Sequence, residues 1–185
     1  MLKKRKAFFK EFLKKGNKTG SVYPSSRFLC KKMISTIDFK AAKCIVELGP
    51  GEGVITREII KKMGPKTQLF VFEMNDVFVK EFLQFDDPRI HVISDSAEFM
   101  AKHLKEFGIG EVDYIISSLP LTILPEEVRE NIINESLKLL KKRGIYMQYQ
   151  YMTTAAKLLK SKFSKVKIGF VPLNIPPAFV YTCHG

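Results

Sequence analysis

The chain has 185 residues, 45% of them hydrophobic, enough for one domain with a substantial core and too few for a second. Lys and Arg outnumber Asp and Glu by 31 to 19, a formal net charge of +12, which favours phosphate-bearing or anionic-surface partners. No run approaches the roughly 20 apolar residues of a membrane span, and the basic start lacks the apolar stretch of a secretory signal. Cys30, Cys44 and Cys183 form no CxxC or Cys/His cluster, so no metal is expected and they read as reduced packing residues of a cytoplasmic protein.

In chain order, residues 1–18 carry Lys3, Lys4, Arg5, Lys6, Lys10, Lys14, Lys15 and Lys18 against Glu11, placing +7 of the charge at one end. At about 100° per residue, Leu2, Phe8, Phe9, Phe12 and Leu13 share one side of a helix. Lys3, Lys4, Lys10, Lys14 and Lys15 fall on the other, with Arg5 the exception. Such a basic amphipathic helix suits an anionic membrane interface. A helix packed on the domain and a nucleic-acid-binding arm are the alternatives, the arm explaining the phenylalanines less well. The expected division is a helix over 1–18 and a folded domain over 19–185.

After a break at 16–20, the segment Gly20-Ser21-Val22-Tyr23-Pro24-Ser25-Ser26-Arg27-Phe28-Leu29 opens a helix, with Ser25 or Ser26 as N-cap and Phe28, Leu29, Met33, Ile34 and Ile37 on its buried side. Such a segment can lid a ligand. A buried strand over 44–48 then runs into Glu47-Leu48-Gly49-Pro50-Gly51-Glu52-Gly53, and 54–63 has helical apolar spacing. Glycine suits this turn because a Cβ would block positive φ and close approach of a ligand to the backbone. The next strand ends at Glu73, placed to accept both hydroxyls of a ribose. A helix over 78–85, a strand over 90–94 ending in Asp95-Ser96-Ala97, and a helix over 97–107 follow. Asp95 can accept from an adenine amino group or cap that helix.

A fourth strand over 112–116 leads into Ser117-Ser118-Leu119-Pro120-Leu121-Thr122. Helical spacing over 126–142 is expected to stop at Gly144, with a fifth strand over 145–151. The stretches 165–170 and 178–183 read as an antiparallel hairpin at the sheet edge, with Pro172, Pro176 and Pro177 in its connection. His91, His103 and His184 make no catalytic cluster in sequence.

The glycine spacing departs from the G-x-G-x-x-G of a pyrophosphate turn, and carboxylates at Glu47 and Glu52 would repel phosphate. They suit a cofactor with a cationic amino group and a sulfonium, as S-adenosylmethionine has. The E-x-G-x-G-x-G turn resembles motif I of class I methyltransferases, and the resemblance extends over nearly the whole chain. It implies a Rossmann-like α/β fold with helices on both faces of a seven-stranded, mostly parallel sheet whose last strand is antiparallel. Carried onto this sequence, it also implies a cofactor site of Ser25, Ser26, Glu47, Gly49, Pro50, Gly51, Gly53, Glu73, Met74, Asp95, Ser96, Ala97 and Ser117.

Two groups within the class compete for the acceptor. The domain also resembles the ribosomal RNA adenine dimethylases, whose Asn-x-Pro-aromatic signature holds an exocyclic amine and stacks on a flipped base. Here those positions are Ser118, Leu119, Pro120 and Leu121, lacking both amide and aromatic. The G-x-V-x-P-S-S-R-F-L segment and Ser-x-Leu-Pro-Leu instead resemble bacterial phospholipid N-methyltransferases. That resemblance implies a membrane aminolipid such as phosphatidylethanolamine, a peripheral place on the inner face of the membrane, and a reacting centre at Ser118, Leu119 and Pro120. Tyr23, with Tyr149 behind it, is the candidate side chain at this mouth, and Arg27 could meet lipid phosphate. An RNA adenine methyltransferase is the alternative, and a cofactor-binding protein without turnover the third reading.

Overall fold

The computed structural model describes residues 25–185; the expected basic helix and Tyr23 lie outside the described residues. The elements run α1 (Arg27–Met33), β1 (Cys44–Leu48), α2 (Val54–Ile60), β2 (Gln68–Phe72), α3 (Asp76–Phe82), β3 (Ile90–Ile93), α4 (Met100–Glu106), β4 (Val112–Ser117), α5 (Glu126–Leu139), β5 (Leu140–Gln150), α6 (Ala156–Lys162), β6 (Lys165–Val171) and β7 (Ala178–His184). The strands form one sheet in the order β3-β2-β1-β4-β5-β7-β6. Strands β1 to β5 pair in parallel, and β7 runs antiparallel to both neighbours. This is the expected mostly parallel sheet, with its last strand inserted between β5 and β6 so that β6 forms the edge.

Every residue of β1 is buried, as a central parallel strand with both faces covered requires. Side-chain alternation sends Cys44, Val46 and Leu48 toward α4, α5 and α6, and Ile45 toward α1, α2 and α3. By the same two-residue period, Glu47 faces the α1–α3 layer. Burial pushes the Cys30 thiol up to about 11 and those of Cys44 and Cys183 to about 12, which makes them inert packing groups.

The end of α5 differs from the sequence reading. The helix stops at Leu139, and Leu140 already pairs with Val112 on β4. Lys141 reaches the Asp113 carboxylate at 2.6 Å, so pairing with β4 captures this stretch despite its helical periodicity. The register then jumps to Tyr114–Ile145 across a bulge. Gly144 serves that bulge, since a Cβ there would come within 2.9 Å of Leu140 Cδ2 and 3.0 Å of the Lys141 carbonyl.

Candidate methyl-donor and acceptor site

Parallel strands that end together place their loops together. Leu48 pairs with both Phe72 and Ser117, and Ser117 with Gln148, so the glycine turn, Glu73 and the 118–124 loop share the carboxyl edge of the sheet. The turn is tied to its neighbours on each side: Gly49 N–H donates to Phe72 O at 2.9 Å and Ser118 N–H to Leu48 O at 2.9 Å.

Gly49, Gly51 and Gly53 all have positive φ, at 63°, 57° and 72°. Two of them are also packed against side chains. A Cβ on Gly49 would lie 2.6 Å from Leu119 Cδ2, and one on Gly53 2.7 Å from the Phe82 ring. Around Gly51 nothing lies within 4 Å of that position, so the middle of the turn opens a cradle where backbone can meet a ligand.

Glu47 borders this cradle. Its side chain is fully buried and both carboxylate oxygens lack a hydrogen-bond partner. Desolvation pushes its pKa up to about 8, the Thr56 hydroxyl moderates the shift, and the Glu73 charge adds to it. The Thr56 hydroxyl lies close enough to act electrostatically yet makes no hydrogen bond of good geometry. An isolated buried carboxylate is costly unless a cation pairs with it. The ammonium of an amino-acid moiety is such a cation, so the residues present fit S-adenosylmethionine.

Glu73 is tied to the backbone around it. Its Oε1 accepts from Met74 N–H and Asn75 N–H at 2.8 Å each, and its Oε2 accepts from Gly51 N–H at 3.2 Å. Burial raises its pKa while these amides pull it back. The carboxylate thus braces the glycine turn, leaving its second acceptor site on Oε2 for a hydroxyl.

Beyond Glu73, the end of β3 presents Asp95. Asp95 Oδ1 accepts from Ser96 N–H at 2.8 Å, and Oδ2 lies 2.9 Å from His103 Nε2. The cap of the following turn is Ser96, whose hydroxyl accepts from Glu98 N–H. His103 is therefore a partner of Asp95. His91 contacts Gln68 at 2.6 Å and stacks on Phe70, a packing role. Met74 and Ala97 are buried beside these loops.

On the other side, the 118–124 loop is held by two residues not singled out in the sequence. Gln148 and Gln150 Nε2 both donate to the Leu119 carbonyl, at 2.9 and 2.8 Å. Gln148 also donates to Tyr149 O and accepts from the Tyr146 hydroxyl at 2.7 Å. Ser117 Oγ accepts from Leu119 N–H at 3.3 Å. The sequence signal was a pair of amides two residues apart on one face of a buried strand.

Ser25 and Ser26 fall at this acceptor end. Ser26 caps α1 through Leu29 N–H and donates its own N–H to Asn174 Oδ1 at 2.9 Å. Tyr149 neighbours Tyr151 and Ser25, and burial raises its pKa. With β1 and β4 between β2 and β5, the contacts of the two serines with Tyr149 and Asn174 put them on the β5–β7–β6 side of the sheet, away from the Glu73 strand. Arg27 is exposed with its guanidinium 4.8 Å above the Phe28 ring. Among the described residues no group of three or more His, Cys, Asp and Glu is arranged to hold a metal, and no helix is long and apolar enough to cross a membrane.

A doubly wound sheet in this order, with a glycine turn after β1 and acids after β2 and β3, defines a class I S-adenosylmethionine-dependent methyltransferase. Solved structures share the fold. A precorrin-6y C5,15-methyltransferase from Geobacter metallireducens superposes with a TM-score of 0.69 at 14% identity, over 90% of this chain and 92% of that one. A spermidine synthase from Thermotoga maritima gives a TM-score of 0.57 at 16% identity, over 84% of this chain and 58% of its own.

The family model for ribosomal RNA adenine dimethylase matches residues 12–167, and the chain belongs to that family. Among its relatives, an ornithine lipid N-methyltransferase of Singulisphaera acidiphila is 28% identical over 96% of this chain and 94% of its own length. A ribosomal RNA small subunit methyltransferase A of Phytoplasma australiense is 31% identical over 66% of this chain and 44% of its own.

Proposed function

We propose that this methyltransferase transfers a methyl group to the amine of a membrane aminolipid, phosphatidylethanolamine or a related lipid. The observation that carries the reading is the acceptor loop. Its polar amide and aromatic positions are filled by Ser118 and Leu121, and Leu119 packs directly on Gly49. Leu119, Leu121 and Leu124 are buried there, making an apolar wall with no ring to stack on a flipped base. The likeness to an ornithine lipid N-methyltransferase along nearly the whole of both chains supports the same reading.

S-adenosylmethionine, when bound, supplies an electrophilic methyl on sulfur, whose transfer to an amine leaves a thioether and releases one proton. Glu47 would pair with the donor's ammonium, the backbone at Gly51 and the free acceptor site of Glu73 would hold its ribose, and Asp95 would take its adenine amino group. Ser118, Leu119 and Pro120 would fix the acceptor nitrogen in line, so rate comes from alignment and exclusion of water. An alkylammonium with a pKa near 10.4 must first lose its proton, at about 4 to 5 kcal/mol at pH 7. The apolar wall lowers that cost by disfavouring the charged form. The basic stretch 1–18 would hold the molecule against anionic lipid on the inner face of the membrane.

The second reading, adenine methylation in ribosomal RNA, is favoured by the family match itself. Offering labelled cofactor separately to aminolipid vesicles, total RNA, protein and small amines distinguishes them. Label in lipid alone supports the proposal; label in RNA alone replaces it.

A further inference from the structure

We propose that the loop joining β6 and β7 inserts into the surface of an anionic bilayer, through Leu173 and Ile175, and so turns the acceptor mouth toward the lipid. The loop inverts the usual pattern of a surface turn. Its polar residue, Asn174, is 2% exposed, accepts from Ser26 N–H and donates to Pro176 O at 2.7 Å. Its apolar residues on either side, Leu173 and Ile175, are 62% and 66% exposed. Isolated exposed apolar side chains are ordinary; a polar anchor that holds two of them outward is not.

Register places this loop at the mouth. Gln150, Phe179 and Phe170 form one rung across β5, β7 and β6. Past that rung, at the same edge as the glycine turn, lie Met152 after β5 and residues 172–177. Met152 and Phe170 are also exposed, and Phe28 joins them through the link from α1 to Asn174.

Charge identifies the occupant. After Glu11, every Asp and Glu lies between residues 38 and 135. α1, β6 and β7 hold no acid; α1, whose cap Ser26 bonds to Asn174, carries Arg27, Lys31 and Lys32, with Lys32 against Gly169 of β6. Apolar tips with the cations of α1 beside them match the interfacial layer of an anionic membrane, where hydrocarbon and phosphate are both within reach. A nucleic acid would meet the cations and leave the tips without a partner.

The proposal rests on the aminolipid reading, but its test measures insertion without methyl transfer, so the two can fail separately. The chain contains no tryptophan, so Leu173→Trp and Ile175→Trp each give a single fluorophore. Phe107→Trp, at the end of α4 on the opposite edge of the sheet, is the control. With vesicles of phosphatidylethanolamine and phosphatidylglycerol bearing brominated acyl chains, both loop probes shift to the blue and are quenched severalfold more than the control. The double variant Leu173→Ser/Ile175→Ser binds the same vesicles about tenfold more weakly or worse, while retaining cofactor affinity as evidence of folding. Vesicle-bound protein whose loop probes are quenched no more than the control overturns the proposal. So does a probe already blue-shifted without vesicles and unmoved by them, which means that residues 1–24 or a second copy cover the loop. A shift produced by RNA but not by vesicles overturns it as well.

Discussion

Glu47 is the residue on which the cofactor reading turns, because a buried carboxyl without a partner either keeps a proton or meets a cation. With its pKa near 8, it holds a proton in the folded protein over a range in which the unfolded chain, titrating at its ordinary 4.5, has lost it. The folded state then binds more protons, so without cofactor stability falls as pH rises from about 4.5 to about 8, by an amount of order 5 kcal/mol at most, and levels off above. Glu47→Gln abolishes that slope in denaturant titrations across this range and makes the cofactor-free protein more stable at pH 8, while weakening cofactor binding tenfold or more. A variant that keeps both slope and affinity contradicts the assignment. Gln150 makes a second residue-scale case. Gln150→Met keeps the volume but removes one of two donors to the Leu119 carbonyl, costing about 1 kcal/mol of stability. Turnover should fall more than cofactor affinity in a comparison of kcat with cofactor Kd, since the loop it steadies faces the acceptor.

At the scale of elements, the succession of strands along the chain and the place of the glycine turn were legible because β1 is apolar but for Glu47 and the turn chemistry is local. The α5–β5 junction was not. Residues 140–144 have a helical period, and only the pairing of Leu140 with Val112 and of Lys141 with Asp113 turns them into strand. Glycine at 144 pointed to a helix stop, when its task is to let the bulge close. Gly144→Val is accordingly expected to destabilise the fold by about 1 to 3 kcal/mol through overpacking against Leu140, read as a lower denaturant midpoint, whereas a simple helix terminator would tolerate it with a smaller loss. The site was legible in the same uneven way. Gly49, Gly51, Gly53 and Glu73 stand in one short stretch with a fixed spacing. The Asp95–His103 contact joins a strand end to a helix face, and the clamp of Gln148 and Gln150 on Leu119 spans about thirty residues. The first leaves no local trace in the sequence, and the second only the two amides spaced two apart on β5.

For the whole molecule, two features point to lipid: a 118–121 motif without amide or aromatic, and acids confined to Glu11 and residues 38–135, so that α1, β6 and β7 hold none. The family match admits RNA on the same fold, so direct competition is the decisive comparison. The measurement is the partition of labelled methyl groups from S-adenosylmethionine between lipid and RNA when phosphatidylethanolamine vesicles containing anionic lipid and purified ribosomal RNA are present together. The account requires label in the organic extract, as N-methylated headgroup, with RNA at background. Label in N6-methylated adenine, with the lipid at background, would contradict it.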